Sequence, residues 1–147
     1  MVAYQQKSGF TLIELILATG IITILVMISI PILNRYVQRN DLDVAASAIV
    51  QDLYRAQNLA RNGENGGNWG VYIQSGSITV FQGNSYASRI QSKDEVFGIS
   101  PTIATSGTNE YVFSSFTGTP IATGSSTIQK NSDTKTVTVN AKGVIEY

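Results

Sequence analysis

The 147-residue sequence contains no cysteine and no histidine. Without thiols it can form neither disulfides nor thiolate zinc sites, and without imidazole it can build neither a histidine-dependent triad nor the common zinc centres. Net charge is a further absence, since ten basic and ten acidic residues cancel. No bulk attraction to nucleic acid or to an anionic membrane follows from such a balance. No segment repeats at a fixed period, no phosphate-cradling loop or EF-hand spacing is present, and the serines lack a nucleophile-elbow context. Asp94 and Glu95 are neighbours, so in an extended segment they point to opposite faces and make a poor acid–base pair. Those two acids, with Asp133 and loop carbonyls, are the set from which a calcium site would have to be drawn. Neither a metal nor another cofactor is expected, and no catalytic residue is assigned.

What the chain does have is one long apolar run, Phe10 to Leu33, FTLIELILATGIITILVMISIPIL. Its length suits a helix crossing a hydrocarbon core of about 30 Å. Glu14 breaks the pattern, because an ionised carboxylate in such a run costs at least a few kcal/mol unless a cation pairs with it. A secretory signal would place a small-residue cleavage site after an apolar run of about 7 to 15 residues. Here the run is longer, an acid sits inside it, and the small residue, Gly9, comes before it.

That order resembles the class III signal of type IV prepilins and type II secretion pseudopilins: a short leader with a basic residue, Lys7, then Gly9, then FTLIEL. The resemblance implies cleavage between Gly9 and Phe10, N-methylation of Phe10, and an assembly role for Glu14 as the acid at the fifth mature position. Cleavage creates a cationic α-amine on Phe10, and in a stack of subunits the Glu14 of one chain would lie beside the Phe10 amine of its neighbour. Removing either charge leaves the other unpaired, at a cost of about 3 to 5 kcal/mol. Loss of the leader removes Lys7, leaving nine basic against ten acidic residues, about −1. Lys7 stays cytoplasmic under the positive-inside bias, which sends the C-terminal part outward. Pro31 should kink or loosen the helix around Met27 to Ser29. A proline there also resembles the family, which implies a helix able to melt locally on leaving the membrane.

From Asn34 the chain turns polar but keeps a helical period. Leu42, Ala45, Ala46, Ile49, Leu53, Ala56 and Ala60 recur at spacings of three and four, with Arg39, Asp43, Asp52 and Arg55 on other faces. Asn62 and Gly63 predict the helix end. The period then switches to two. Trp69–Gln74 and Ser77–Gln82 read as a β-hairpin whose Trp69, Val71, Ile73, Ile78 and Val80 cover the helix stripe. Further strands are expected at Glu95–Ile99, Glu110–Phe116, Ser126–Lys130, Thr136–Asn140 and Gly143–Tyr147, with SPTIATSGTN and TGTPIATGSS as connections. The organisation expected is a leader (1–9), a transmembrane or filament-core helix (10–33), its amphipathic continuation (34–62) and a β-rich domain (63–147).

The fold class expected is α+β, a pilin-like long N-terminal helix packed on a small, mostly antiparallel sheet. Beyond the first forty residues, DLYRAQNLA, the Trp-led hairpin, EYVFSSFTGTP, STIQK and TVTVNAKGVIEY resemble the H-type minor pseudopilins and the minor pilins of DNA uptake. The DNA-uptake relatives have a basic end, from which Val144, Ile145, Glu146 and Tyr147 depart. Lys130, Lys135 and Lys142, with Tyr86, Tyr111 or Tyr147, would hold a single strand weakly; solvated surface is the plainer reading, and nucleic acid is not an expected partner. The partners implied are other pilins or pseudopilins, prepilin peptidase, an inner-membrane assembly platform, and membrane lipid before assembly. The implied location is a single-pass cytoplasmic (inner) membrane anchor, then an extracellular or periplasmic filament. The expected role is a structural minor subunit, itself no enzyme; a major pilin, a DNA-capturing minor pilin and an anchored hydrolase are the other readings.

Overall fold

The computed structural model describes residues 9–147, without the side chains of 28–39. One helix, α1 (Leu12–Arg61), is followed by eight β-strands, and the chain divides into two compact units, Met1–Val37 and Gln38–Tyr147.

In the first unit, every side chain from Leu12 to Met27 is exposed. The hydroxyls in this apolar stretch turn back onto their own helix: Thr19 donates to the Leu15 and Ile16 carbonyls at 3.0 Å each, and Thr23 donates to Thr19 O at 2.7 Å. A hydroxyl satisfied this way demands no partner from an apolar surrounding. Among the described residues no helix is long and apolar enough to cross a membrane. The expected span, 10–33, continues past Met27 into side chains outside the described residues. Pro31 lies there too: α1 continues through its position, while its side chain and most of the expected loosening fall outside the described residues.

In the second unit the helix is one-sided. Leu42, Ala45, Ala46, Ile49, Leu53, Ala56 and Ala60 are all buried, as their spacing predicts. The helix ends at Arg61, where Asn62 N donates to Asn58 O at 2.9 Å and Gly63 N to Ala60 O at 2.9 Å. Gly63 has φ 63, the left-handed conformation that glycine adopts at a helix C-terminus. A Cβ there would also come within 2.4 Å of the Phe116 ring. Phe116 N donates to Ala60 O at 2.8 Å, so a distant loop adds a second hydrogen bond to the carbonyl that already accepts from Gly63.

Strands β1 (Trp69–Gln74) and β2 (Ser77–Gln82) form the expected hairpin, in register from Trp69 opposite Gln82 to Gln74 opposite Ser77. With β3 (Glu95–Gly98) and β5 (Glu110–Phe113) they make an antiparallel sheet in the order β3-β2-β1-β5. Strand β4 (Ala104–Gly107) joins β6 (Gly124–Lys130), β7 (Asp133–Val139) and β8 (Ile145–Glu146) in a second antiparallel sheet, order β4-β6-β7-β8. Trp69, Val71, Ile73, Ile78, Val80, Tyr111 and Phe113 of the first sheet and Ile128, Val137, Val139 and Ile145 of the second share one core with the helix stripe.

The strands depart from the sequence reading where side chains give no alternation. ATSG within the expected connection is strand β4, because β6 supplies its hydrogen-bonding partner from Ala104 opposite Gln129 to Gly107 opposite Ser126. Strand β5 stops at Phe113 rather than Phe116, since Ser114 N turns to Thr119 O at 2.8 Å. Strands β6 and β7 begin two and three residues earlier than expected, being paired from Gly124 opposite Val139 to Lys130 opposite Asp133.

The outer face of the first sheet has its own cover. Phe81 is fully buried there, lying over Gly70, and Tyr86 meets its ring edge-on at 5.6 Å. Tyr86 stacks on Tyr72 at 3.9 Å, and the Arg89 guanidinium sits 3.8 Å above the Tyr86 ring while donating to Asp94 at 2.7 Å. A Cβ at Gly70 would fall 2.5 Å from Phe81 Cζ and 2.6 Å from the Tyr111 carbonyl oxygen. Gly70→Ala is therefore expected to lower unfolding stability by about 1–3 kcal/mol. Gly98→Ala, where a Cβ meets nothing within 4 Å, should stay within about 0.5 kcal/mol of the parent. Urea unfolding of the two variants measures both.

Candidate functional site

Residues 9–11 precede the helix, so the Gly9–Phe10 bond at which cleavage is expected lies outside regular structure. Among the described residues, nothing beyond its chain neighbours lies within 4 Å of where a Cβ on Gly9 would stand, and Phe10 is 93% exposed. A bond in that setting is open to an enzyme without unwinding a helical turn.

Two residues after that bond the helix is started by a reciprocal cap. With Leu12 the first helical residue, Thr11 is the N-cap and Glu14 the third position inside. Thr11 N donates to Glu14 Oε2 at 2.8 Å, the Thr11 hydroxyl donates to the same oxygen at 2.8 Å, and Glu14 N donates to Thr11 Oγ1 at 3.3 Å. This is the capping box, in which N-cap and third residue satisfy each other's orphan groups. A negative charge in the first turn also meets the positive end of the helix dipole.

The sequence reading assigned Glu14 one task, to meet a cation, and overlooked Thr11. The Thr-x-x-Glu spacing just ahead of an apolar run was the available signal. The hydrogen bonds supply dipoles and leave the full unit charge of Glu14 to be matched. They also fix where that charge stands, four residues from Phe10.

The remaining candidates are dispersed. Asp94 pairs with Arg89, and Glu95 with Arg55, so the adjacent acids serve different cations. Among the described residues no group of three or more acids is placed to hold a metal ion. Lys130 pairs with Asp41 and Lys135 with Asp43, tying β6 and β7 to the helix. Tyr111 is buried, its hydroxyl 2.8 Å from Ser126 Oγ, and Tyr86 is enclosed between Tyr72 and Arg89. Only Lys135 and Tyr147 meet, at 5.7 Å, while Lys142 stays exposed. The basic and aromatic residues therefore do not form one strand-binding track. A cleft of about 170 Å³ between β1 and the β4–β5 segment is lined only by uncharged residues, among them Tyr72, Ser106, Asn109 and Ser126.

Thr11→Val keeps the shape and deletes the hydroxyl, and is expected to weaken the helix start by about 1 kcal/mol. Amide exchange at Leu12–Leu15 should rise about fivefold, with exchange in β1–β8 unchanged.

Among known proteins, a family model of the prokaryotic N-terminal methylation motif matches residues 4–30. No curated protein and no solved structure matches the chain. The matched segment contains Gly9, Phe10, Thr11 and Glu14, and it identifies the chain as bearing the signature of type IV prepilins and pseudopilins.

Proposed function

We propose that the chain is a minor pilin or pseudopilin, a structural subunit that prepilin peptidase cuts between Gly9 and Phe10 and methylates on Phe10. The observation behind this reading is the geometry of the helix start. A scissile bond outside the helix is followed after two residues by a capping box that holds an acid in the first turn. Before assembly, the apolar stretch from Phe10 anchors the subunit in the cytoplasmic membrane with its β-rich part outside. An assembly platform then lifts it into a filament, where the Glu14 of one subunit neutralises the Phe10 amine of the next.

Helix packing replaces lipid contacts in that step, so it yields little net hydrophobic gain, and shape and charge pairing set the register. The β-rich part resembles the H-type minor subunits more than the DNA-capturing ones. The pairing of Lys130 and Lys135 with helix acids supports that preference by removing free positive charge.

The test is intact mass spectrometry after co-expression with a prepilin peptidase. The wild type should lose its nine leader residues and gain one methyl group, and Gly9→Val should remain full length. Glu14→Ala should be cut normally yet drop at least tenfold in sheared filaments. A full-length wild-type mass, or a cut after the apolar run, would refute the processing. Normal filament incorporation of Glu14→Ala would refute the pairing.

A further inference from the structure

The most anomalous side chain outside the N-terminal site is Asp52. It belongs to the buried face of the helix, next to Leu53, and is only 6% exposed. Its Oδ2 is sealed from solvent and receives no hydrogen bond. A carboxylate in that state is one of the costlier groups a core can contain. Two charged groups act on it, Arg55 one turn further along its own helix and Glu95 on β3.

Those two are joined to each other. Arg55 Nε donates to Glu95 Oε2 at 2.5 Å and Arg55 Nη2 to Glu95 Oε1 at 2.9 Å, a bidentate clasp from helix to sheet. The remaining elements against this face add little charge. Strands β1 and β2 contain no acid or base, and the titratable Tyr72 points to the opposite face, where it stacks on Tyr86. Tyr111 of β5 directs its hydroxyl to Ser126. The Asp41–Lys130 and Asp43–Lys135 pairs stand nine to eleven residues back along the helix, about 14–17 Å.

Strand β3 is the part of the first sheet with least to hold it. It is four residues long, lies at the edge and pairs with β2 alone. Val96 is 65% exposed, and Glu95 and Phe97, opposite Val80 and Ile78, share the face that meets the helix. The clasp is half-exposed, and such a pair holds the strand only weakly.

We propose that Asp52, Arg55 and Glu95 form a proton-operated latch on edge strand β3, closed while Asp52 is neutral and released when Asp52 ionises. Neutral Asp52 leaves Arg55 to Glu95 alone. Ionised Asp52 keeps its Oδ2 without a hydrogen bond where it sits, competes for Arg55 and repels Glu95. Movement of β3 off the helix lets water reach Oδ2 and uncovers more of Phe97, which is already 38% exposed.

The direction follows from linkage. Burial pushes the Asp52 carboxyl up to about 6, with Arg55 opposing and Glu95 adding to the rise, against an ordinary value of 3.8. The closed form therefore binds the proton more tightly than the open form. The part of that advantage contributed by Asp52 is full below about pH 4 and declines as pH rises through about 6. Between pH 4 and pH 7 the opening constant of β3 should rise on the order of tenfold or more.

The experiment is amide hydrogen exchange on the full chain in detergent micelles at pH 4 and pH 7, corrected for intrinsic exchange. The expected result is a tenfold or larger loss of protection confined to Glu95–Gly98. Asp52→Asn, which cannot ionise, should abolish that change, and Arg55→Gln should open β3 already at pH 4. An equal change in β6 and β7, or one that persists in Asp52→Asn, would overturn the latch. Should Asp52→Asn fail to fold, carboxyl NMR titration of the wild type decides. A midpoint near 6 shared by Asp52 and the β3 amides supports the latch, and a midpoint near 4 overturns it.

Discussion

Everything in the Gln38–Tyr147 unit depends on burying one stripe of one helix. Seven residues, four of them alanine, make up that stripe, and residues from both sheets reach it. Alanine lets strands approach the helix axis closely, and the larger Leu42, Ile49 and Leu53 fill the hollows between them. Among the described residues neither sheet has another α-helix to cover its inner face, and sheets of short strands need such a cover to be stable. The helix half is thus the shared wall of a core to which both sheets contribute.

The same helix meets a different requirement near its beginning. There apolar side chains are exposed, threonine hydroxyls turn onto backbone carbonyls, and the acid is held at the first turn by the N-cap. A surface of that kind suits lipid or neighbouring apolar helices, and it positions one charge for one partner. Under the proposed processing the new Phe10 amine is that partner, which would join covalent chemistry at Gly9 to electrostatics at Glu14.

Charge within the second unit is arranged by pairing. Lys130, Lys135 and Arg55 each tie a strand to the helix through an acid, and Arg89 ties the segment before β3 to Asp94. Such pairs on partly exposed ground add little stability individually. Their effect is to fix which strand lies along which flank of the helix and to neutralise the cations they engage. Asp52 differs from the acids in these pairs in standing on the buried side of the helix, beside Arg55.

The sequence by itself determined the helix, its end at Gly63, the hairpin and the stripe they bury, because each rests on local periodicity or a glycine that only one conformation suits. Gly9, Phe10 and Glu14 were singled out by the resemblance of their order to the prepilin signal, and the Thr11 cap was open to a reader looking for a capping box. Tertiary structure alone decided that the strands form two sheets and that ATSG is one of them. It also decided that Phe116 caps the helix and that Asp52 is buried beneath a clasp reaching a residue 40 positions away. Those features come from partners distant in sequence. Backbone pairing in a Ser- and Thr-rich strand, and the burial of a carboxylate, are properties of what packs against a residue and leave no periodic trace along the chain.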